Sequence, residues 1–190
     1  MTPVETPSRD VVADIRRKAA ALNKRIVLPE GEEKRTIKAA AFLKKNALCV
    51  PVLLGRPDAV KKIAAENQAD LNGVSIVDPA TDAKLKDYAA QYFELRKHKG
   101  IDEAQALEAC KDPMVYGTMM LHNDHVDGFL SGADHATADT IRPALQIIKP
   151  APGVRAISSF FIMIFPDKKL GDDGILIMGD CAINIDPVPV

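Results

Sequence analysis

Residues Asp127–Gln146 read DGFLSGADHATADTIRPALQ. An apolar run gives way to small and hydroxyl-bearing residues, and these to a segment with an arginine beside a proline. A strand, a tight turn and a helix account for that order. Such a unit aims backbone N–H groups and the positive end of the helix dipole at whatever lies beyond the strand's carboxyl end. Ser131, Gly132, Thr137 and Thr140 leave room for an anion to approach the backbone closely. Arg142 adds a planar, permanently charged fork matched to phosphate. Pro143 fits best in the first turn of a helix, which predicts a start near Thr140 and sets Arg142 beside the anion. The stretch reads as a phosphate site. A capped helix with a solvated arginine is the alternative, because neither GxGxxG nor P-loop spacing is present.

Outward from this stretch, strand and helix patterns alternate along the chain. Ser8 can cap a helix whose apolar residues Val11, Val12, Ile15, Ala19 and Leu22 recur at helical spacing. Strands are predicted at Arg25–Pro29, Cys49–Leu54, Val74–Val77 and Val126–Ser131. Helices are predicted at Gly31–Asn46, Pro57–Asn67, Asp82–Lys97, Asp102–Cys110, Pro113–His122 and Ala136–Lys149. Glu32 and Glu33 early in the second helix, with Lys44 and Lys45 late, match the helix dipole. The alternation predicts an α/β fold, a three-layer and mostly parallel sheet domain covering residues 1–150. KPAPG, Lys149–Gly153, breaks the helical pattern and marks the expected boundary.

Residues 151–190 are expected to begin a second, incomplete α/β domain. RAISSFFIMIFP and GILIMGD read as apolar strands separated by the hairpin-like DKKLGDDG. Burying one large apolar side chain is worth roughly 1.5–3 kcal/mol, so these strands need cover on both faces. Either another subunit supplies it or the chain is a fragment.

With 25 basic and 26 acidic side chains the net charge is −1, and no global basic field points to nucleic acid. The three cysteines, Cys49, Cys110 and Cys181, form no CxxC pair and read as free thiols of a reducing cytoplasm. The N-terminus lacks a signal pattern, and the apolar run Ala156–Phe165 is too short to span a bilayer. HNDHVD, His122–Asp127, offers metal-ligand chemistry without a supporting frame, so a polar loop is the reading and no metal is expected. FELRKHKG, Phe93–Gly100, places Arg96 in a basic helix end, where cations are favourable in any case. Arg35, in EGEEKRT, can pair with Glu32 on a helix surface.

RIVLPEGEEKRTIKAA, FELRKHKG, DGFLSGADHATADTIRPALQIIK, SSFFIMIFPD and GDCAIN together resemble the phosphate acetyltransferase family, which includes the phosphate butyryltransferases. The resemblance runs in family order from Arg25 almost to the end. It implies a two-domain homodimeric enzyme with its active site between domains, converting acetyl-CoA and orthophosphate to acetyl phosphate and CoA. No tightly bound cofactor is implied; coenzyme A or acetyl-CoA is a substrate. On motif match, Arg142 and Arg96 align with substrate-binding arginines, and Arg35 with an arginine of the N-terminal motif. Arginines at such positions would hold phosphate and CoA and balance charge developing in the transition state. The catalytic residues are unknown: the serine and aspartate that the resemblance implies fall past Val190. Asp134 departs from the family pattern, since a carboxylate in this turn repels phosphate unless it is turned away. A non-catalytic or decayed module binding CoA or acyl phosphate, and a phosphate butyryltransferase, remain alternatives.

Overall fold

The computed structural model describes residues 10–154 and 157–179. They fall into two compact units, Ile15–Lys149 and a second that takes in residues 10–14 and the described residues from Pro150 onward. The first element among the described residues is α1 (Val11–Leu22), which has no buried residue. The apolar spacing thus correctly marks a helix, yet Val12, Ile15 and Leu22 stay exposed.

Next come β1 (Arg25–Leu28), α2 (Lys34–Lys45), β2 (Val50–Leu54), α3 (Pro57–Glu66) and β3 (Ser75–Val77). They are followed by α4 (Leu85–Arg96), a 3-10 turn at Lys97–Lys99, α5 (Glu103–Ala109), α6 (Pro113–His122), β4 (Gly128–Phe129) and α7 (Thr137–Ile147). The four strands form one parallel sheet in the order β3-β2-β1-β4. Side chains alternate across it. Leu28 and Leu53 pack with Ile37, Ala40, Val60 and Ala64 of α2 and α3 on one face. Val27, Val52 and Leu54 pack with Tyr88, Tyr92, Tyr116, Met119 and Ile147 of the later helices on the other. Helices on both faces explain why the strands read as continuous apolar runs rather than alternating ones.

Side-chain caps set several helix starts. Asp102 and Gln105 form a reciprocal capping box on α5, and the Asp112 carboxylate accepts from the N–H groups of Met114 and Val115 on α6. Each cap satisfies backbone donors that have no partner inside the helix. The expected strand at Val126–Ser131 shrinks to β4, two residues paired through Ile26↔Gly128 and Val27↔Phe129. Backbone bonds from Asp127 N–H to Arg25 and from Leu130 N–H to Val27 flank it before the chain turns away.

In the second unit, β5 (Phe160–Ile164) and β6 (Ile175–Gly179) pair antiparallel as a hairpin. Every β5 side chain and those of Ile177 and Met178 are exposed, Phe160 at 66% and Ile177 at 72%.

The sheet order marks a candidate region in the first unit. The chain leaves β1 toward β2 on one side and returns to β4 on the other. Ligands of open α/β sheets bind beyond the carboxyl ends of the strands at such a reversal. One glycine makes the turn after β1 possible. Gly31 donates its N–H to the Leu54 carbonyl at 3.0 Å, and a Cβ there would lie 2.3 Å from that oxygen. Gly31→Ala should push the β1–α2 turn off β2 and cost about 1–3 kcal/mol, read as a lower thermal midpoint. An unchanged midpoint would mean that the turn tolerates a side chain.

Candidate functional site

The site is built from two turns, one after β1 and one after β4. In the first, Glu33 caps α2, its carboxylate accepting from the N–H groups of Arg35 and Thr36. Glu33 Oε1 also accepts from Arg35 Nε at 2.8 Å. The expected Arg35–Glu32 pair is not formed. Glu32 precedes the helix, and it reaches across to Arg56, with Nη2 and Oε2 2.8 Å apart. The second nitrogen of the Arg35 fork, Nη2, donates to the Ala133 carbonyl in the other turn. The Glu33 hydrogen bond is the main reason that the Arg35 pKa is raised, with smaller contributions from Asp134 and Glu30.

The second turn holds an anion, and that anion belongs to the chain. Glu30 Oε2 accepts from the N–H groups of Gly132 at 3.0 Å and Ala133 at 2.8 Å. Oε1 accepts from those of Asp134 at 2.7 Å and His135 at 3.0 Å. His135 Nδ1 lies 2.9 Å from the same Oε1. The Glu30 side chain is only 3% exposed. Burial raises its pKa, but the N–H groups of Asp134 and Ala133 and the His135 contacts outweigh burial and bring it down to about 2. Gly132 holds φ at +111° to open the turn, a conformation that glycine adopts without strain. The backbone donors expected to face a phosphate therefore face an internal carboxylate.

The residues singled out from the sequence divide into groups. Arg35 and Ser131 line one hollow of about 210 Å³, together with Glu30, Thr36, Leu130 and Ala133. Ser131 Oγ lies 3.5 Å from Met114 Sδ. Gly132 serves through its N–H to Glu30. Thr137 begins α7, and Thr140 Oγ1 donates to the Ala136 carbonyl at 3.4 Å. The predicted helix start near Thr140 is corrected: α7 begins at Thr137 and carries Pro143 in its interior. Arg142 therefore stands beyond the first turn, exposed, with Nη1 3.3 Å from Asp139 Oδ1. Arg96 closes α4 half-buried. The two helices touch through Tyr92, one turn before Arg96, and Gln146, one turn after Arg142, at 3.4 Å.

A larger cavity, about 540 Å³, also borders Glu30 and is lined by Glu32, Glu33, Glu66 and Asp134 together with Lys34 and His135. The exposed Asp134 side chain lies there, while its N–H serves Glu30. In the HNDHVD segment, His125 contacts the Tyr88 hydroxyl and Lys84 Nζ. No cluster of three or more metal-ligating side chains occurs among the described residues. Glu30 escaped the sequence reading. Its signal, an acid one residue past a strand-ending proline, acquires meaning only once β1 and β4 are known to be neighbours.

A parallel α/β sheet with a charged double turn at its reversal point is a frame shared by many anion-binding proteins. Comparison narrows it. The family model for phosphate acetyl/butaryl transferase matches residues 10–189, and the chain belongs to that family. The phosphate acetyltransferase of Clostridium acetobutylicum is 44% identical over 178 residues, which are 94% of this chain and 54% of that protein. The enzyme of the same name from Salmonella typhimurium is 46% identical over 93% of the chain and 23% of its own length. The chain thus spans about half the length of the Clostridium relative and about a quarter of the Salmonella one. Among solved structures, the EutD phosphotransacetylase from Staphylococcus aureus superimposes with a TM-score of 0.82 at 37% identity, covering 94% of this chain and 52% of that one. A phosphotransacetylase from Streptococcus pyogenes gives 0.83 at 34%, covering 93% and 52%.

Glu30 yields a pH prediction. Its pKa is depressed on folding, so its contribution is complete above the ordinary carboxyl value of 4.5 and disappears as pH falls toward about 2. A shift of that size corresponds to about 3 kcal/mol. The stability gap between the wild type and Glu30→Gln should be widest near neutral pH and close across that acid window. A gap independent of pH in denaturant titrations would show that Glu30 is not held as a carboxylate.

Proposed function

We propose that the protein functions as a phosphate acetyltransferase, interconverting acetyl-CoA plus orthophosphate and acetyl phosphate plus CoA. The observation that carries this reading is the match along almost the whole chain to enzymes of that name. On this reading residues 1–150 form the N-terminal α/β domain and residues 151–190 open a second one, in a cytoplasmic homodimer. The substrates are CoA, acetyl phosphate and phosphate, with no tightly bound cofactor and no nucleic-acid or membrane partner. Among the described residues, no helix is long and apolar enough to cross a membrane.

The site chemistry supports the proposal. Both substrates are anionic, and three of the five N–H donors of Arg35 have no partner among the described residues, which suits a phosphate or pyrophosphate oxygen. Arg142, Thr137 and Thr140 would extend the anion-binding surface along α7. Arg142 is assigned to the phosphate end and Arg96 to CoA. Ser131 and Gly132 would border the reacting group. The attacking thiol is that of CoA. Burial pushes Cys110 up to about 12 and raises Cys49 as well, so neither is a thiolate near neutral pH. The guanidinium groups would hold the acyl phosphate against that thiol and offset the charge that gathers on the phosphoryl oxygens.

Thioester formation from acetyl phosphate and CoA tests the proposal. It should be measured on this chain and on its fusion to the part of the Clostridium relative that lies beyond the match. Turnover by the fusion is expected; a folded fusion without turnover would reject the reading. Within an active protein, Arg142→Ala should weaken phosphate or acyl phosphate binding about tenfold or more. The thermal midpoint should barely move, because an exposed ion pair contributes about 0–1 kcal/mol. Unchanged affinity would remove Arg142 from the site.

A further inference from the structure

We infer that Glu30 is a positioning residue: its carboxylate is an internal anion that holds the Gly132–His135 turn in the shape that presents Arg35 and Ser131 to an external one. The part of this inference that concerns the external ligand rests on the function proposed above; the part that concerns the turn does not.

Four consecutive N–H groups, those of Gly132 to His135, converge on one side chain at 2.7–3.0 Å. No strand or helix partner among the described residues takes them. Removing the carboxylate would leave four donors unsatisfied around a concave pocket, and such a nest of backbone N–H groups attracts anions by itself. Glu30 fills it with a tethered carboxylate. An untethered phosphate is thereby kept out of the nest and left to the guanidinium on its outer side.

The coupling to the ligand side runs through one residue. The N–H of Ala133 donates to Glu30, and its carbonyl accepts from Arg35. The same residue is gripped from two sides, so a shift of the turn moves the Arg35 fork and the wall of the hollow that Ser131 shares. A neutral isostere cannot do the same work. Glutamine offers one oxygen in place of two and turns its NH₂ toward N–H donors.

The test uses the ¹⁵N-labelled chain as wild type, Glu30→Gln and Glu30→Ala. Hydrogen exchange of the Gly132–His135 amides and calorimetric affinity for CoA are the two readouts. Glu30→Gln should keep the wild-type circular dichroism, lose protection at those four amides, and bind CoA about tenfold more weakly or worse. Glu30→Ala should regain protection, or folding itself if that is lost, on addition of sodium formate. Glu30→Gln, whose amide occupies the space, should not respond. Wild-type protection and affinity in Glu30→Gln would overturn the inference, because the side chain would then be a filler. So would a Glu30→Ala protein indifferent to formate. If the wild type binds no CoA, the proposed function loses its support, while exchange and formate response still decide the role of Glu30.

Discussion

The buried Glu30 carboxylate, ringed by the N–H groups of four successive residues, is the contact on which the rest of the first unit's upper surface depends. A desolvated charge is costly unless its hydrogen bonds are restored. Here they are restored by four N–H groups that have no other partner among the described residues. Each side needs the other, so the turn after β1 and the turn after β4 are fixed together. The parallel β1–β4 pairing brings them close, Gly31 lets the first turn lie against the end of β2, and the Glu33 cap with its Arg35 bond closes the outer edge.

This arrangement sorts charge into compartments. Glu30 borders a roomy cavity lined by four further carboxylates and by Lys34 and His135. It also borders a small hollow with Arg35 and Ser131. At the separations within such a site, charge of like sign repels with energies of kcal/mol size. On the function proposed above, the guanidinium of Arg35 makes the smaller hollow the candidate for part of an anionic substrate. Asp134 serves both sides: its N–H joins the Glu30 cluster, and its charge helps to raise the Arg35 pKa.

Much of the fold was legible in the residues because local signals agreed with it. Apolar runs at Ile26–Leu28 and Pro51–Leu54, bounded by proline or glycine, need cover on both sides, and the alternation with helical patterns named a parallel sheet. Boundaries were less legible. Glu32 and Glu33 resemble the first turn of a helix by composition, but Glu33 acts as the cap and Glu32 as a distant partner of Arg56. Pro143 suggested a helix start because proline is easiest to place there, yet α7 accommodates it in the interior. The anion-binding character of the Gly132–His135 turn could be read from its small residues. The identity of the occupant could not, because Glu30 lies about a hundred positions earlier and only the strand order joins the two.

A titration of the ¹⁵N-labelled chain with inorganic phosphate, followed by heteronuclear NMR, tests most directly whether the inner carboxylate and the outer guanidinium are separate stations. The account predicts movement of the Arg35 Nε and Ser131 resonances while the Gly132–His135 amides keep their slow exchange. Phosphate binding centred on those four amides, with their protection lost as Glu30 is displaced, would contradict it.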